Sequence, residues 1–303
     1  MRLAVDHEGR LWMGEMGRNA LAVFDQRTQA FQEITPPYGR YGIMGIQVAA
    51  DDTIWFAEQY ANYIGHYLPA TGQFHLYPLP TVTAPDPSNA GKTLTLPSAP
   101  NDLVLDRHGD VWFAEFNVDR LGRLDPHTGR MRQYALAGNK TAQQLALYGV
   151  TVDSQGMVWF TEMGAQHIGR LDPATDRIQY FPLPGVHVPL MEIASDAHGM
   201  IWATSFSSGL LLRLDPRTGA VTSYYASLSG ADPGGLYGLA VASSGDVWVT
   251  ILAENALARL DAATHHFVYY RVPTENSGPL ALVAGAEQTL WFTETDKIGV
   301  LRP

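Results

Sequence analysis

The chain has 303 residues, of which 46% are hydrophobic and 17% charged, with no cysteine and a formal net charge of −10. Without cysteine there is no disulfide framework, no thiolate nucleophile and no thiolate-held zinc or iron–sulfur centre. The acidic balance, with no run of Lys or Arg, repels a phosphate backbone, and no apolar stretch reaches the roughly 20 residues that cross a bilayer, so neither nucleic acid nor membrane is expected as a partner.

Along the chain, seven tryptophans recur: Trp12, Trp55, Trp112, Trp159, Trp202, Trp248 and Trp291, separated by 43, 57, 47, 43, 46 and 43 residues. Their surroundings repeat as well, as in WFAEFNVDRLGRLDPHTG after Val111 and WFTEMGAQHIGRLDPATD after Val158. The first unit begins with the short apolar run Leu3–Val5. In the fourth unit, runs rich in β-branched and aromatic residues cover Val150–Val152, Met157–Thr161, His167–Leu171 and Arg177–Phe181, with turn-forming Asp, Ser, Gly and Pro between them. No segment sustains an apolar period of 3.6 residues, so each unit reads as four antiparallel strands. Seven such units in one chain predict an all-β fold, a seven-bladed β-propeller forming a single domain over residues 1–303, with each tryptophan buried at a blade junction.

Two irregularities stand out. The 57-residue spacing carries an insertion, Thr81–Pro100, rich in Pro, Ser, Thr and Gly, which reads as a long loop on the rim of the central channel, placed to act as a lid. The last unit stops after its third run, Ile298–Leu301, so one outer strand is missing from the ring. Either a segment upstream of Met1 completes the last blade, or that blade stays three-stranded.

Numbering each unit from its tryptophan as zero, position −11 opens the innermost strand and +3 ends the second, which places both at one mouth of the channel. At +3 the units carry Glu15, Glu58, Glu115, Glu162, Ser205, Ile251 and Glu294. Five carboxylates there would bind a cation or supply an acid or base; equally, a residue recurring in most blades would serve the scaffold. Departures from the repeat are sharper candidates. Asn101, Asp102 and Glu192 are polar at −11 and −10, where other blades place Gly or apolar residues. Together with Tyr148 and Tyr237 they suggest a polar small-molecule pocket or an oxygen-rich site for Mg²⁺ or Ca²⁺, with Asp102 and Glu192 as the metal's ligands. His187, in PGVHVPLMEI, is the histidine nearest this mouth and a candidate for proton transfer or substrate contact. Arg123, Arg170, Arg213 and Arg259 at +11 should lie beside the blade tryptophans.

The repeat PxGIxxDxxGxVWFTExxxNxIGRLDPxTGxxxxYxLP, best matched at WFTEMGAQHIGRLDPATDRIQYFPLP and LWFTETDKIG, resembles that of the virginiamycin B (streptogramin B) lyase family of bacterial seven-bladed propellers. The resemblance implies Mg²⁺-assisted elimination that linearises a cyclic depsipeptide, with a general-base histidine supported by Glu and His at the channel mouth. The family's two mouth histidines fall on Tyr237 and Leu280, and a supporting Glu on Gly278; the last-blade Glu is kept as Glu294.

The reading is therefore a streptogramin-lyase-like propeller, expected as a monomer, that binds a small molecule at the mouth through Asn101, Tyr148, Tyr237 and His187. If it catalyses, Asp102, Glu192 and Glu294 would be the catalytic groups, as a metal-assisted lyase with an altered substrate. A non-catalytic protein-interaction propeller and a lactonase-type hydrolase stay open as alternatives, as does the compartment.

Overall fold

The computed structural model describes residues 2–37, 42–86, 88–89, 91–136, 146–183, 185, 189–230, 234–285 and 289–302, with backbone alone at 84 and 85. The fold is all-β, a seven-bladed β-propeller. Seven successive antiparallel sheets span residues 3–34, 43–78, 100–135, 147–182, 190–225, 236–271 and 282–301. In each sheet the strands follow one another in chain order. The first six have four strands; the seventh has three, ending at Ile298–Leu301. A 3-10 turn at Leu252–Glu254 is the helical element among the described residues, and no helix is long and apolar enough to cross a membrane. Backbone proximity divides the chain into two compact units, Met1–Val150 with Asp172–Ile178, and Thr151–Leu171 with Gln179–Pro303.

The insertion after the second blade differs from the open loop expected. Thr81–Pro85 and Thr93–Pro97 pair as an antiparallel ribbon, with Val82 opposite Leu96 and Thr83 opposite Thr95. The alternating Thr and aliphatic residues that looked like loop composition are β-branched or extended formers, and pairing satisfies their backbone groups.

Within the units, five of the tryptophans pack against the following blade. Trp12 lies among Ile43, Ile46, Ile54 and Phe56 of the second blade, and Trp55 among Leu103, Val111 and Phe113 of the third. In the other unit Trp159 packs on Ile193, Ile201 and Leu212, Trp202 on Leu239, Val247 and Val249, and Trp248 on Leu282, Leu290 and Phe292. The residue after the tryptophan faces the opposite way, as alternation along a strand requires. Its ring lies over the glycine of the IGRL motif in the third strand: a Cβ on Gly65, Gly122 or Gly169 would come within 2.1 Å of the rings of Phe56, Phe113 and Phe160. The glycine is there because the ring occupies its side-chain space.

A buried indole N–H needs an acceptor. In four blades that acceptor is an aspartate six residues earlier: Asp6, Asp106, Asp153 and Asp196 accept from Trp12, Trp112, Trp159 and Trp202 at 2.7–3.0 Å. The second carboxylate oxygen takes the turn amides, those of Gln155 and Met157 in the case of Asp153. One side chain thus closes the first hairpin of the blade and orients its largest ring. The +11 arginines lie over the tryptophan faces as the repeat predicts, with guanidinium carbons of Arg123, Arg170, Arg213 and Arg259 at 5.2–5.9 Å from the ring centres. In the second blade His66 takes that place, stacked on Trp55 at 3.9 Å and 8°. Burial pushes its pKa down to about 4, so the stack is between neutral rings.

Replacing Asp153 by Ala removes the acceptor for one indole and two amides. The expected loss of unfolding free energy is about 2–3 kcal/mol, read from urea denaturation, with Asp153→Asn losing less.

Candidate functional site

The end of the blade that carries −11 and +3 is built on a β-bulge. In the second, third, fifth and sixth blades, −12 pairs with +3 (Ile43 with Glu58, Pro100 with Glu115, Leu190 with Ser205, Leu236 with Ile251). The next pair is −9 with +1, such as Leu103 with Phe113, so −11 and −10 together oppose one residue. The direct partner of +3 is thus one residue earlier than the simple hairpin count predicts. A bulge leaves backbone groups without ladder partners and redirects side chains, which is why bulges cluster at functional sites.

From the fourth blade on, the residue at +2, which opposes the bulge in the fifth and sixth blades, is a threonine, and its hydroxyl supplies what the bulge lacks. Thr204 Oγ accepts from the Glu192 amide at 3.2 Å and donates to the Tyr237 carbonyl of the next blade at 2.9 Å. Thr250 does the same for Gly238 and Leu280, both at 2.8 Å, and Thr161 donates to the Met191 carbonyl at 2.5 Å. In the third blade the threonine is replaced by Ala114. There Asn101 Nδ2 donates to the Tyr148 carbonyl at 3.2 Å, the position a threonine hydroxyl serves elsewhere. Asp102 completes the joint: Oδ1 accepts from the Leu103 amide and Oδ2 from the Val150 amide, both at 2.9 Å, while the Arg2 guanidinium holds Oδ2 at 2.5 Å.

Asn101, Asp102 and Tyr148 are therefore brought together in the first unit, but through bonds that join neighbouring innermost strands. Asp102 is 2% exposed, and the cation beside it is Arg2. A carboxylate oxygen already holding a guanidinium and an amide does not fit the role of divalent-cation ligand, and among the described residues no three His, Asp or Glu side chains cluster as a metal site requires.

In the second unit, Glu192 and Tyr237 are linked through the Thr204 bridge; they are 6% and 8% exposed. Beside them, Phe206 sits edge-to-face against Tyr237 at 6.3 Å and 80°, and is 38% exposed. Phe116 and Tyr148 repeat the arrangement in the first unit at 6.4 Å and 74°. Each phenylalanine lies four residues after its tryptophan, a position the sequence reading did not single out; aromatic residues at +4 followed by tyrosine at the next −11 are the signal. Glu294 follows the strand Leu290–Thr293, its amide bonded to the Lys297 carbonyl. His187 lies outside the described residues.

The +3 carboxylates do not gather into one cation site. Three of them have partners within their own blade. Glu115 accepts from Gln133 Nε2 at 2.8 and 2.7 Å, Glu162 lies 2.8 Å from His167 Nε2, and Glu15 is within 3.8 Å of Arg18. Burial raises the pKa of Glu15 and of Glu115. Glu58, fully buried, has neither oxygen hydrogen-bonded; the nearby Tyr60 and Ala61 amides offset burial only in part, and its pKa rises to about 7.

A family model described as the virginiamycin B lyase family matches residues 84–301. The chain belongs to that family. Among solved structures it is similar to a streptogramin B lyase, at 26% identity and TM-score 0.85, covering 99% of this chain and 92% of the other. It is also similar to virginiamycin B lyase from Staphylococcus aureus, at 24% identity and TM-score 0.81 over 98% and 92%. A catalytically inactive histidine-to-alanine form of the Staphylococcus aureus enzyme with quinupristin matches at 24% identity and TM-score 0.74, over 96% and 84%. No curated protein sequence matches the chain. Against the family, the positions where its mouth histidines are expected hold Tyr237 and Leu280, whose carbonyls accept from Thr204 and Thr250. Gly278 has φ +59°, a left-handed conformation in which a glutamate would be strained.

The Asp102 assignment has a direct check. Asp102→Ala removes the carboxylate that accepts from the buried Leu103 and Val150 amides and from the half-buried Arg2 guanidinium, and should lower stability by about 2–3 kcal/mol. Asn101→Ala should cost about 1–2 kcal/mol. Both are read from urea denaturation, and neither the wild-type midpoint nor the size of these losses should change when Mg²⁺ is replaced by chelator.

Proposed function

We propose that this member of the virginiamycin B lyase family binds a small molecule with an apolar ring on the Phe206–Tyr237–Glu192 rim, and does not linearise streptogramins by the histidine-dependent route. The observation that carries the reading is Phe206: a large ring 38% exposed at the end of the second strand, braced edge-on by buried Tyr237 and one threonine bridge away from Glu192. An exposed ring held by packing costs little entropy to stack upon, and in this reading Glu192, whose backbone amide is bonded to Thr204, supplies the carboxylate that accepts a donor from the ligand.

The chemistry at the replaced positions supports the second half. Elimination removes a proton from carbon, which needs a base whose ordinary pKa lies near the working pH. A phenol titrates near about 10 and an aliphatic side chain not at all, so Tyr237 and Leu280 do not supply what a histidine pair supplies. Glu192 is the carboxylate on this rim that departs from the repeat, and for a substrate whose C–H is acidic enough it is the group we assign as base. Asp102, committed to Arg2, supplies no metal ligand to this reaction.

Quinupristin with Mg²⁺ should remain cyclic by chromatography and mass spectrometry under conditions in which a streptogramin B lyase opens it. In calorimetric titration with cyclic depsipeptides and smaller aromatic lactones, the binding member of the panel should lose about tenfold or more in affinity on Phe206→Ala, the order of one lost aromatic contact. Opening of quinupristin, or binding unchanged by Phe206→Ala, would overturn the proposal.

A further inference from the structure

The 3-10 turn Leu252–Glu254 follows the second strand of the sixth blade and departs from the repeat. Counted from Trp248, Glu254 is at +6, where the other blades carry Arg18, Ala61, Val118, Ala165, Ser208 and Lys297. Its carboxylate meets the connection between the fifth and sixth blades, which runs between the strands Val221–Tyr225 and Leu236–Val241. Residues 231–233 of that connection lie outside the described residues.

Three donors converge on Glu254. The Leu228 amide donates to Oε2 at 2.6 Å, the Ser229 amide to Oε1 at 2.8 Å, and Ser227 Oγ to Oε1 at 3.3 Å. Ser227 Oγ accepts in turn from the Gly230 amide at 2.9 Å, and the Ser227 amide donates to the Tyr269 hydroxyl at 3.2 Å. Three consecutive residues thus form a small concavity of donors, and a carboxylate of the same chain fills it. Bonds of this kind to an ionised acceptor are roughly twice as strong as neutral ones.

The same turn grips the other end of the connection. The Leu252 amide donates to the Gly235 carbonyl at 2.9 Å, and the Gly235 amide donates to the Phe206 carbonyl. Gly235 has φ +70°, and a Cβ there would lie 3.3 Å from Leu252 Cβ, so the close approach of connection and turn needs glycine. A continuous path of contacts therefore runs from Phe206 through Gly235 and Leu252 to Glu254 and on to Ser227–Ser229, all within one compact unit. Phe116, the other phenylalanine at +4, has Ala165 at +6 of the blade that follows it, so the clasp belongs to the Phe206 rim.

We propose that Glu254 is a positioning residue that clasps the connection at Ser227–Ser229 and thereby holds Gly235, and through it the backbone of Phe206, where the exposed ring meets a ligand. The inference rests on the reading of the Phe206 rim as the ligand site and adds what regulates it. Without the carboxylate charge the connection is tied to the turn at Gly235 alone, and Gly230, Gly234 and Gly235, all at positive φ, let it swing.

The sign of the pH effect follows from the donors. Burial acts to raise the Glu254 pKa, but the Ser229, Leu228 and Ser227 donors together outweigh it and hold the carboxyl below its ordinary 4.5. The clasp is therefore fully present above 4.5 and is lost as pH falls through the lower, folded value. Tyr269, the other titratable group bonded to the connection, has its pKa raised, chiefly by burial and also by the Glu254 charge, and stays protonated throughout. Among the described residues no Lys, Arg or His forms an ion pair with Glu254.

The test uses the full chain without ligand: amide exchange by NMR, with one para-fluorine on the Phe206 ring as a local reporter. In wild type the Leu228 and Ser229 amides should be protected at about pH 6.5 and lose about tenfold or more of that protection on acidification to about pH 3.5, the fluorine resonance moving over the same range. Glu254→Gln, whose fold circular dichroism verifies, should show that loss already at about pH 6.5, with the resonance near the wild type's acid position and little further change on acidification. In Glu254→Ala, about 0.1 M acetate should restore part of the protection and return the resonance toward its wild-type position, while chloride at equal ionic strength should not. Protection unchanged in Glu254→Gln, an equal loss at the buried strand residue Val249, or a Phe206 resonance that stays in place when protection is lost would each overturn the inference. These readouts need no bound molecule, so they stand or fall separately from the Phe206→Ala titration that tests the ligand site.

Discussion

An indole buried between two sheets brings one polar hydrogen with it, and that hydrogen has to be met where no water reaches. In four blades the aspartate six residues upstream meets it, and the same carboxylate gathers the amides of the intervening turn. The turn is thereby locked to the ring, and the ring to the face of the next blade. The hairpin's first turn is fixed in these blades by that lock. Where the aspartate is absent, at Ala49, Ala242 and Gly285, the tryptophan still occupies its place, so packing rather than the hydrogen bond sets the ring's position.

The bulge shows how one structural need is met by different chemistry. Extra backbone groups at the innermost strand must find partners. Threonine does this in blades of the second unit, where a single hydroxyl both accepts and donates. With Ala114 in its place, an amide and a carboxylate from the bulge itself do the joining. Polar residues that look like chemistry in a linear reading are here the repair of a missing hydroxyl. Glu58 differs from Glu115 and Glu162 in its surroundings: where those meet Gln133 and His167, its blade places Leu76 and Tyr63, with the Tyr60 and Ala61 amides beside it.

Periodicity carried the architecture. Seven tryptophans at nearly even spacing, the DxxGxxW turn and the IGRL glycine each record a local requirement of strand, turn or ring contact within some twenty residues, and such requirements are visible in a string. The candidate sites were less legible because their meaning depends on distant partners. Asp102 is bound by Val150, 48 residues on, and by Arg2, 100 residues back. Nothing adjacent to Asp102 announces either. The exposed ring of Phe206 became visible as a feature only once Tyr237 stood beside it.

Fold class, blade number and the burial of the tryptophans were determined by the sequence alone, because alternation, turn residues and ring-over-glycine contacts act between near neighbours and repeat. Which polar side chains are spent on the scaffold was decided only in three dimensions. A hydrogen bond between blades is closed by residues whose separation along the chain is arbitrary, and a carboxylate's role is set by what surrounds it: a guanidinium and an amide at Asp102, a glutamine side chain at Glu115.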